Sequence, residues 1–137
     1  MGDEEFESWL NQYTSDQVTS LRKLRELVIA NTEGLVETVN QEEWLNNYIF
    51  YSVGSTMVYA IGVKKNSKIS LHMMPLYGSK SLQDRHQSAL APFMSGKSCI
   101  DFQEFSQLPI SNLTHIFDRG TMSMLAAVEA TKATKKK

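Results

Sequence analysis

The sequence predicts an α+β domain: one mainly antiparallel sheet flanked by helices, in the order α-β-β-β-α-β-α. Three observations carry this. Met57–Val63 and Lys68–Met74 surround the polar tetrad Lys64-Lys65-Asn66-Ser67, a hairpin pattern that makes the sheet antiparallel. Helix-period segments stand before and after this β-rich middle. No composition break, repeat or Gly/Ser-rich linker divides the 137 residues, a length that buries a core as one domain.

In chain order, Phe6, Trp9, Leu10 and Tyr13 are spaced by three and four and predict a short amphipathic helix. Thr14 and Gln17 have capping-box spacing, so a second helix starts there. Val18, Leu21, Leu24 and Val28 form its apolar stripe, and the segment Asn31 to Gly34 closes it. A strand near Leu35–Val39 is a weaker signal. Tyr48–Val53 is aromatic and β-branched between Asn47 and Gly54, and reads as a strand. Within Met57–Val63 the alternation puts Met57, Tyr59, Ile61 and Val63 on one face and Val58, Ala60 and Gly62 on the other. The small face offers room for a helix or a ligand. In the next strand Ser70, His72 and Met74 share a face. The spacing of Ser81 and Asp84 predicts the next helix start, with Leu82, His86, Ala89, Leu90 and Phe93 along one side and Pro92 and Gly96 at its end. Cys99–Phe102 is a short alternating strand. Pro109 and Ser111 open the last helix, in which Gly120 marks a bend. The domain spans 1–131, and 132–137 is a basic tail carrying Lys132, Lys135, Lys136 and Lys137.

Composition narrows the function classes. Hydrophobic residues make up 42% and charged residues 21%, with a net charge of −1, so no global field favours nucleic acid or a membrane surface. No apolar run reaches the ~20 residues of a membrane helix. The acidic opening, Asp3, Glu4, Glu5 and Glu7, is unlike a secretory signal. The single cysteine, Cys99, has no internal partner for a disulfide, which places the expectation in a reducing cytoplasm.

The chain contains no phosphate loop, no CxxC, no HExxH and no GxSxG, and it reads as non-enzymatic. Three binding readings stay open. The set His72, Met74, His86 and Cys99 offers soft ligands for a metal, and the carboxylates of Asp3, Glu4, Glu5, Glu7, Glu37, Glu42 and Glu43 offer hard ones, yet neither has a loop-motif spacing and no metal ligand is assigned. The aromatics Trp44, Tyr48, Tyr51, Tyr59 and Tyr77 are groove candidates. The site expected for a small ligand lies between the hairpin and the following helix, at Tyr59, His72, Tyr77 and His86, where Pro75 and Gly78 make the connection irregular. An interaction surface, in a monomer or a homodimer, is the third. The cofactor is unknown.

The blocks LRKLRELVIA (21–30), MVYAIGVKK (57–65), ISLHMMPLY (69–77), GKSCIDF (96–102) and LPISNLTHIF (108–117) resemble successive blocks of the YdhG-like family, long labelled a domain of unknown function. The resemblance runs roughly from Phe6 to Leu125, and GKSCIDF followed by a Leu-Pro helix start is its most specific part. Many relatives carry a Trp-Gly or Tyr-Gly with a nearby Pro after the first helix, where this chain has Val39-Asn40-Gln41-Glu42-Glu43. The resemblance implies a compact α+β domain, one sheet flanked by helices, related in shape to secretion-chaperone-like folds, and with it this chain is read as a YdhG-like binding protein for a small ligand or a metal. One branch is described as a frataxin-like iron chaperone, whose ligands do not carry over to this chain residue by residue.

Overall fold

A computed structural model describes residues 1–135, with side chains described through Thr131. Five strands, β1 (Val36–Val39), β2 (Ile49–Val53), β3 (Thr56–Val63), β4 (Ile69–Met73) and β5 (Cys99–Phe102), form one antiparallel sheet in the order β1-β2-β3-β4-β5. Five helices accompany it: α1 (Asp3–Leu10), α2 (Ser15–Asn31), α3 (Met74–Gly78), α4 (Lys80–Leu90) and α5 (Ile110–Lys135). The chain is thus α+β with an antiparallel sheet, as the sequence predicts. The weak signal at 35–39 is a real strand, so the sheet gains an edge.

The register sorts side chains into two sets. Ile49, Ile61, Leu71 and Ile100 are cross-strand neighbours, as are Tyr51, Tyr59 and Met73, and all are buried in one cluster with Leu21, Leu24 and Val28 of α2 and Leu113, Ile116 and Phe117 of α5. This face carries the core. The row Phe50, Ala60, His72 and Cys99 faces the other way. The small residues Ala60 and Gly62 are therefore not where a helix docks. Instead the Tyr48 ring lies on Gly62, where a Cβ would stand 2.5 Å from two ring carbons.

Local chemistry explains the ends. The predicted capping box is present, with Gln17 N donating to Thr14 Oγ1 at 3.2 Å and Thr14 N to Gln17 Oε1 at 3.0 Å. Met74 does not continue β4. It opens α3, because Pro75 in a first helical turn loses no intrahelical bond and brings a helical φ. The cap of α4 is Ser79, two residues before the predicted Ser81, and its Oγ accepts from Leu82 N at 3.3 Å. A bidentate pair joins α2 to β1: Arg25 donates Nε to Glu37 Oε2 and Nη2 to Glu37 Oε1, both at 2.9 Å. Tyr51 Oη donates to the same Oε2 at 2.6 Å, Asp3 takes Arg25 Nη1 at 3.0 Å, and the guanidinium covers the Phe6 ring at 4.3 Å. The helix α5 carries the backbone of residues 132–135, so four of the six residues of the predicted basic tail are helical; Lys136 and Lys137 lie outside the described residues.

Gly120 does not break α5, which runs through it. Its role is close approach. A Cβ there would lie 2.7 Å from Pro75 Cβ and from Tyr59 Oη. Alanine favours an exposed helix over glycine by ~1 kcal/mol, but overpacking costs ~1–3 kcal/mol, so the clash wins. Gly120→Ala is expected to lower unfolding stability by about 1–2 kcal/mol in urea titrations, and an unchanged or raised midpoint would show that α3 and α5 are not in this contact.

Candidate functional site

The four residues expected to form a site do not converge. Tyr59 is fully buried on the helix-facing side of β3. Its hydroxyl lies 3.2 Å from Ile116 O and 3.1 Å from Phe117 O and accepts from Thr121 Oγ1 at 3.2 Å. Burial pushes its phenol up, and the Thr121 hydroxyl eases the shift. Tyr59 clasps α5 to the sheet and has no free polar edge for a ligand. Tyr77 is exposed on α3 and borders an open groove of about 650 Å³ with Gln83, Gln87, Met94 and Lys97. His86 is buried on α4 against α5. His72 belongs to the outer row, so the sheet itself separates it from Tyr59 and its row.

What the structure does bring together on the outer face is His72 and Cys99. They are cross-strand partners on β4 and β5, and Cys99 Sγ stands 2.9 Å from His72 Nδ1. Cys99 is only partly buried, and its row faces away from the helices. The other ring nitrogen, His72 Nε2, is buried and has no hydrogen-bond partner in the chain. Desolvation lowers the His72 pKa, the Lys64 ammonium lowers it further, and Asp101 partly opposes both. The imidazole is therefore neutral at pH 7. If the thiol donates S–H to Nδ1, the ring proton sits on Nε2 and the orphaned atom is a donor.

Aromatic side chains wall this row. Trp44 packs edge-on to Phe50 and His72, with centroids 6.4 and 6.3 Å away, and Tyr48 meets His72 at 5.8 Å. Both come from the segment linking β1 to β2. Asn40 shapes it: Nδ2 donates to Trp44 O at 2.7 Å and Leu45 O at 3.0 Å, and Oδ1 accepts from Glu42 N at 3.2 Å. Trp9 Nε1 fastens its far end to Asn47 O at 2.9 Å. Leu45 is held at φ 54°, a left-handed conformation costly for a side chain of this size. Trp44 remains 62% exposed, so the wall has an open side. At the other end of the face Lys64 donates Nζ to Asp101 Oδ2 at 2.7 Å, and Ser95 Oγ donates to Asp101 Oδ1 at 3.0 Å.

The metal readings gain no geometry. His86 and Met74 do not join His72 and Cys99. Among the described residues no three His, Cys, Asp or Glu side chains are placed to share an ion. Several carboxylates are committed elsewhere: Glu37 and Asp3 to Arg25, and Glu7 to Arg22. No described helix is long and apolar enough to cross a membrane. Comparison with protein-family models, curated proteins and solved structures finds no match to this chain.

A residue that motif reading passed over is His115. It meets His86 on facing helices, with His86 Nε2 2.8 Å from His115 Nδ1, while Asn112 Nδ2 lies 2.9 Å from His86 Nδ1. The signal available in the sequence was the i, i+3 spacing of Asn112 and His115 on a predicted helix, which puts both on one face. Burial lowers the His86 pKa first, and the neighbouring His115 and Arg85 lower it further. A depressed imidazole favours the unfolded chain on acidification. The unfolded histidine takes up its proton near the ordinary value of about 6.5 while the folded one resists. Stability is therefore full above that pH and falls as pH drops through and below it. His86→Gln is expected to shrink the loss of unfolding free energy between pH 7.5 and 5.5; an unaltered loss would mean that other groups carry it.

Proposed function

We propose that this chain is a cytoplasmic, YdhG-like, non-enzymatic binding protein that holds a small organic ligand on the outer face of its sheet. The observation that carries the reading is the buried Nε2 of His72, a ring nitrogen with no hydrogen-bond partner in the chain. Buried polar groups are ordinarily paired, and an orphan at a partly open aromatic wall is explained by a partner from outside. The ligand that fits has a flat apolar part for Trp44 and Phe50 and an acceptor, such as a carbonyl oxygen or ring nitrogen, for Nε2. Access requires Trp44 to swing outward, which its exposure and the strained Leu45 beside it favour. Iron delivery is the weaker reading, because Asp3, Glu7 and Glu37 are paired with arginines and no three carboxylates cluster among the described residues. A protein-interaction role would use the same exposed Trp44.

The test is a thermal-shift screen of aromatic and heteroaromatic metabolites, followed by calorimetric titration of each hit, with tryptophan fluorescence as a second readout in the chains that keep Trp44. Trp9 is buried, so exposed Trp44 is the responsive reporter. A true ligand raises the melting temperature of the parent chain and loses about five- to 150-fold in affinity in both His72→Ala and Trp44→Ala, since a lost buried hydrogen bond or aromatic contact is worth ~1–3 kcal/mol. Hits that bind both variants as tightly as the parent would remove the site from this face.

A further inference from the structure

On the opposite side of the molecule, α4 and α5 enclose a cleft of about 290 Å³ lined by Ser79, Ser81, Arg85, His115, Arg119 and Ser123. Its composition follows from helical spacing. Ser81 and Arg85 are four apart on α4, and His115, Arg119 and Ser123 are spaced by four on α5, so each set forms one stripe and the two stripes face each other. Two features set this cleft apart from an ordinary polar surface. Neither Arg85 nor Arg119 is in an ion pair among the described residues, whereas Arg22 and Arg25 are both paired. Two unpaired guanidiniums beside one histidine disfavour its protonated form and leave a local positive charge that a bound anion would offset.

The second feature is the polar chain behind His115. Asn112 Nδ2 donates to His86 Nδ1, which puts the His86 proton on Nε2, and that N–H is donated to His115 Nδ1. His115 Nδ1 is thereby an acceptor, and its ring proton resides on Nε2. The buried histidine thus fixes its partial-surface neighbour in one orientation and one tautomer. The result is a ring donor, two guanidiniums and three hydroxyls around a space the size of a head group. Carboxylates are sparse there. Asp84 is paired with Lys80, and Asp118 acts on His115 with a sign opposite to that of the arginines.

We infer that the α4–α5 cleft is a binding site for a small phosphate-bearing anion, gripped by Arg85 and Arg119 with His115 as a neutral donor held in place by His86. Planar guanidiniums match phosphate oxygens bidentately, and the volume suits a phosphomonoester group better than a whole nucleotide. This site is independent of the outer face of the sheet, and either assignment stands without the other.

The experiment is an NMR titration of the full chain with inorganic phosphate and with methyl phosphate, against sodium chloride at equal ionic strength. The His115 ring proton is followed from pH 5 to 8 in each series. Desolvation, then Arg85 and Arg119, lower the His115 pKa in the free chain, and a bound dianion beside it raises that pKa. Saturable shifts confined to α4 and α5, with a phosphate-dependent rise of the His115 pKa, are expected. In Arg85→Gln/Arg119→Gln both should vanish, with affinity falling at least about tenfold for each lost charge-assisted contact. Both arginines are exposed, so this variant is expected to fold. Shifts of equal size with chloride, or retained in the double variant, would overturn the proposal. So would a response only to vesicles containing phosphatidic acid, which would make a lipid head group the ligand instead of a free ester.

Discussion

Because successive residues of a strand point to opposite faces, the register of β2 to β5 decides most of what this chain can do. One row, Ile49, Ile61, Leu71 and Ile100, is committed to the helices and is fully buried. The adjacent row must then face away, and it happens to carry Phe50, Ala60, His72 and Cys99. The thiol–imidazole pair is thus a product of strand pairing and needs no loop to assemble it. A slip of one residue in β4 or β5 would bury His72 among leucines and turn the apolar row to water, so the core enforces the pair.

The helical layer is fastened to the sheet by two polar devices at opposite ends. Near β1 the Arg25–Glu37 bidentate pair takes in Tyr51 and Asp3 and seats Arg25 over Phe6, joining α1, α2, β1 and β2. Removing one partner of such a poorly solvated pair leaves the other charge stranded, which is far costlier than never having had the pair. Burial first, and the Glu37 carboxylate next, push the Tyr51 phenol far above its ordinary range, so it remains a donor. Near α5 the Tyr59 hydroxyl sits between two main-chain carbonyls and Thr121, in the space that Gly120 leaves free. The absence of a side chain at Gly120 is what allows α3, β3 and α5 to meet.

The two regions singled out for binding differ in kind. The outer face is aromatic, with two buried polar atoms that lack a partner, Ser70 Oγ and Nε2 of the His72 imidazole, and with an exposed tryptophan packed against that ring. The α4–α5 cleft is cationic, small and lined by hydroxyls. A flat, weakly polar molecule suits the first and a compact anion the second, and neither surface offers the clustered carboxylates that a hard cation prefers.

The sequence alone determined the elements whose signals are local. The Thr14–Gln17 capping box, the alternation in Thr56–Val63, the polar hairpin tetrad and the Cys99–Phe102 strand all depend on neighbours a few residues away, and the structure places each where those signals point. The start of α4 moved from Ser81 to Ser79 and Met74 left its strand for α3, because caps and first turns are chosen among competing nearby residues. The edge strand Val36–Val39 was faint because it is exposed on alternate residues and takes its stability from β2. Only the tertiary structure decided which face of the hairpin meets the helices. Alternation defines two faces but not their occupants, and here the large residues won the core while Tyr48 took the small ones. For the same reason Tyr59, His72, Tyr77 and His86, close along the chain, ended on different surfaces. Meanwhile Cys99 met His72 from 27 residues away, and His115 met His86 from 29. Contacts made by pairing and packing over such distances leave no periodic trace in the sequence.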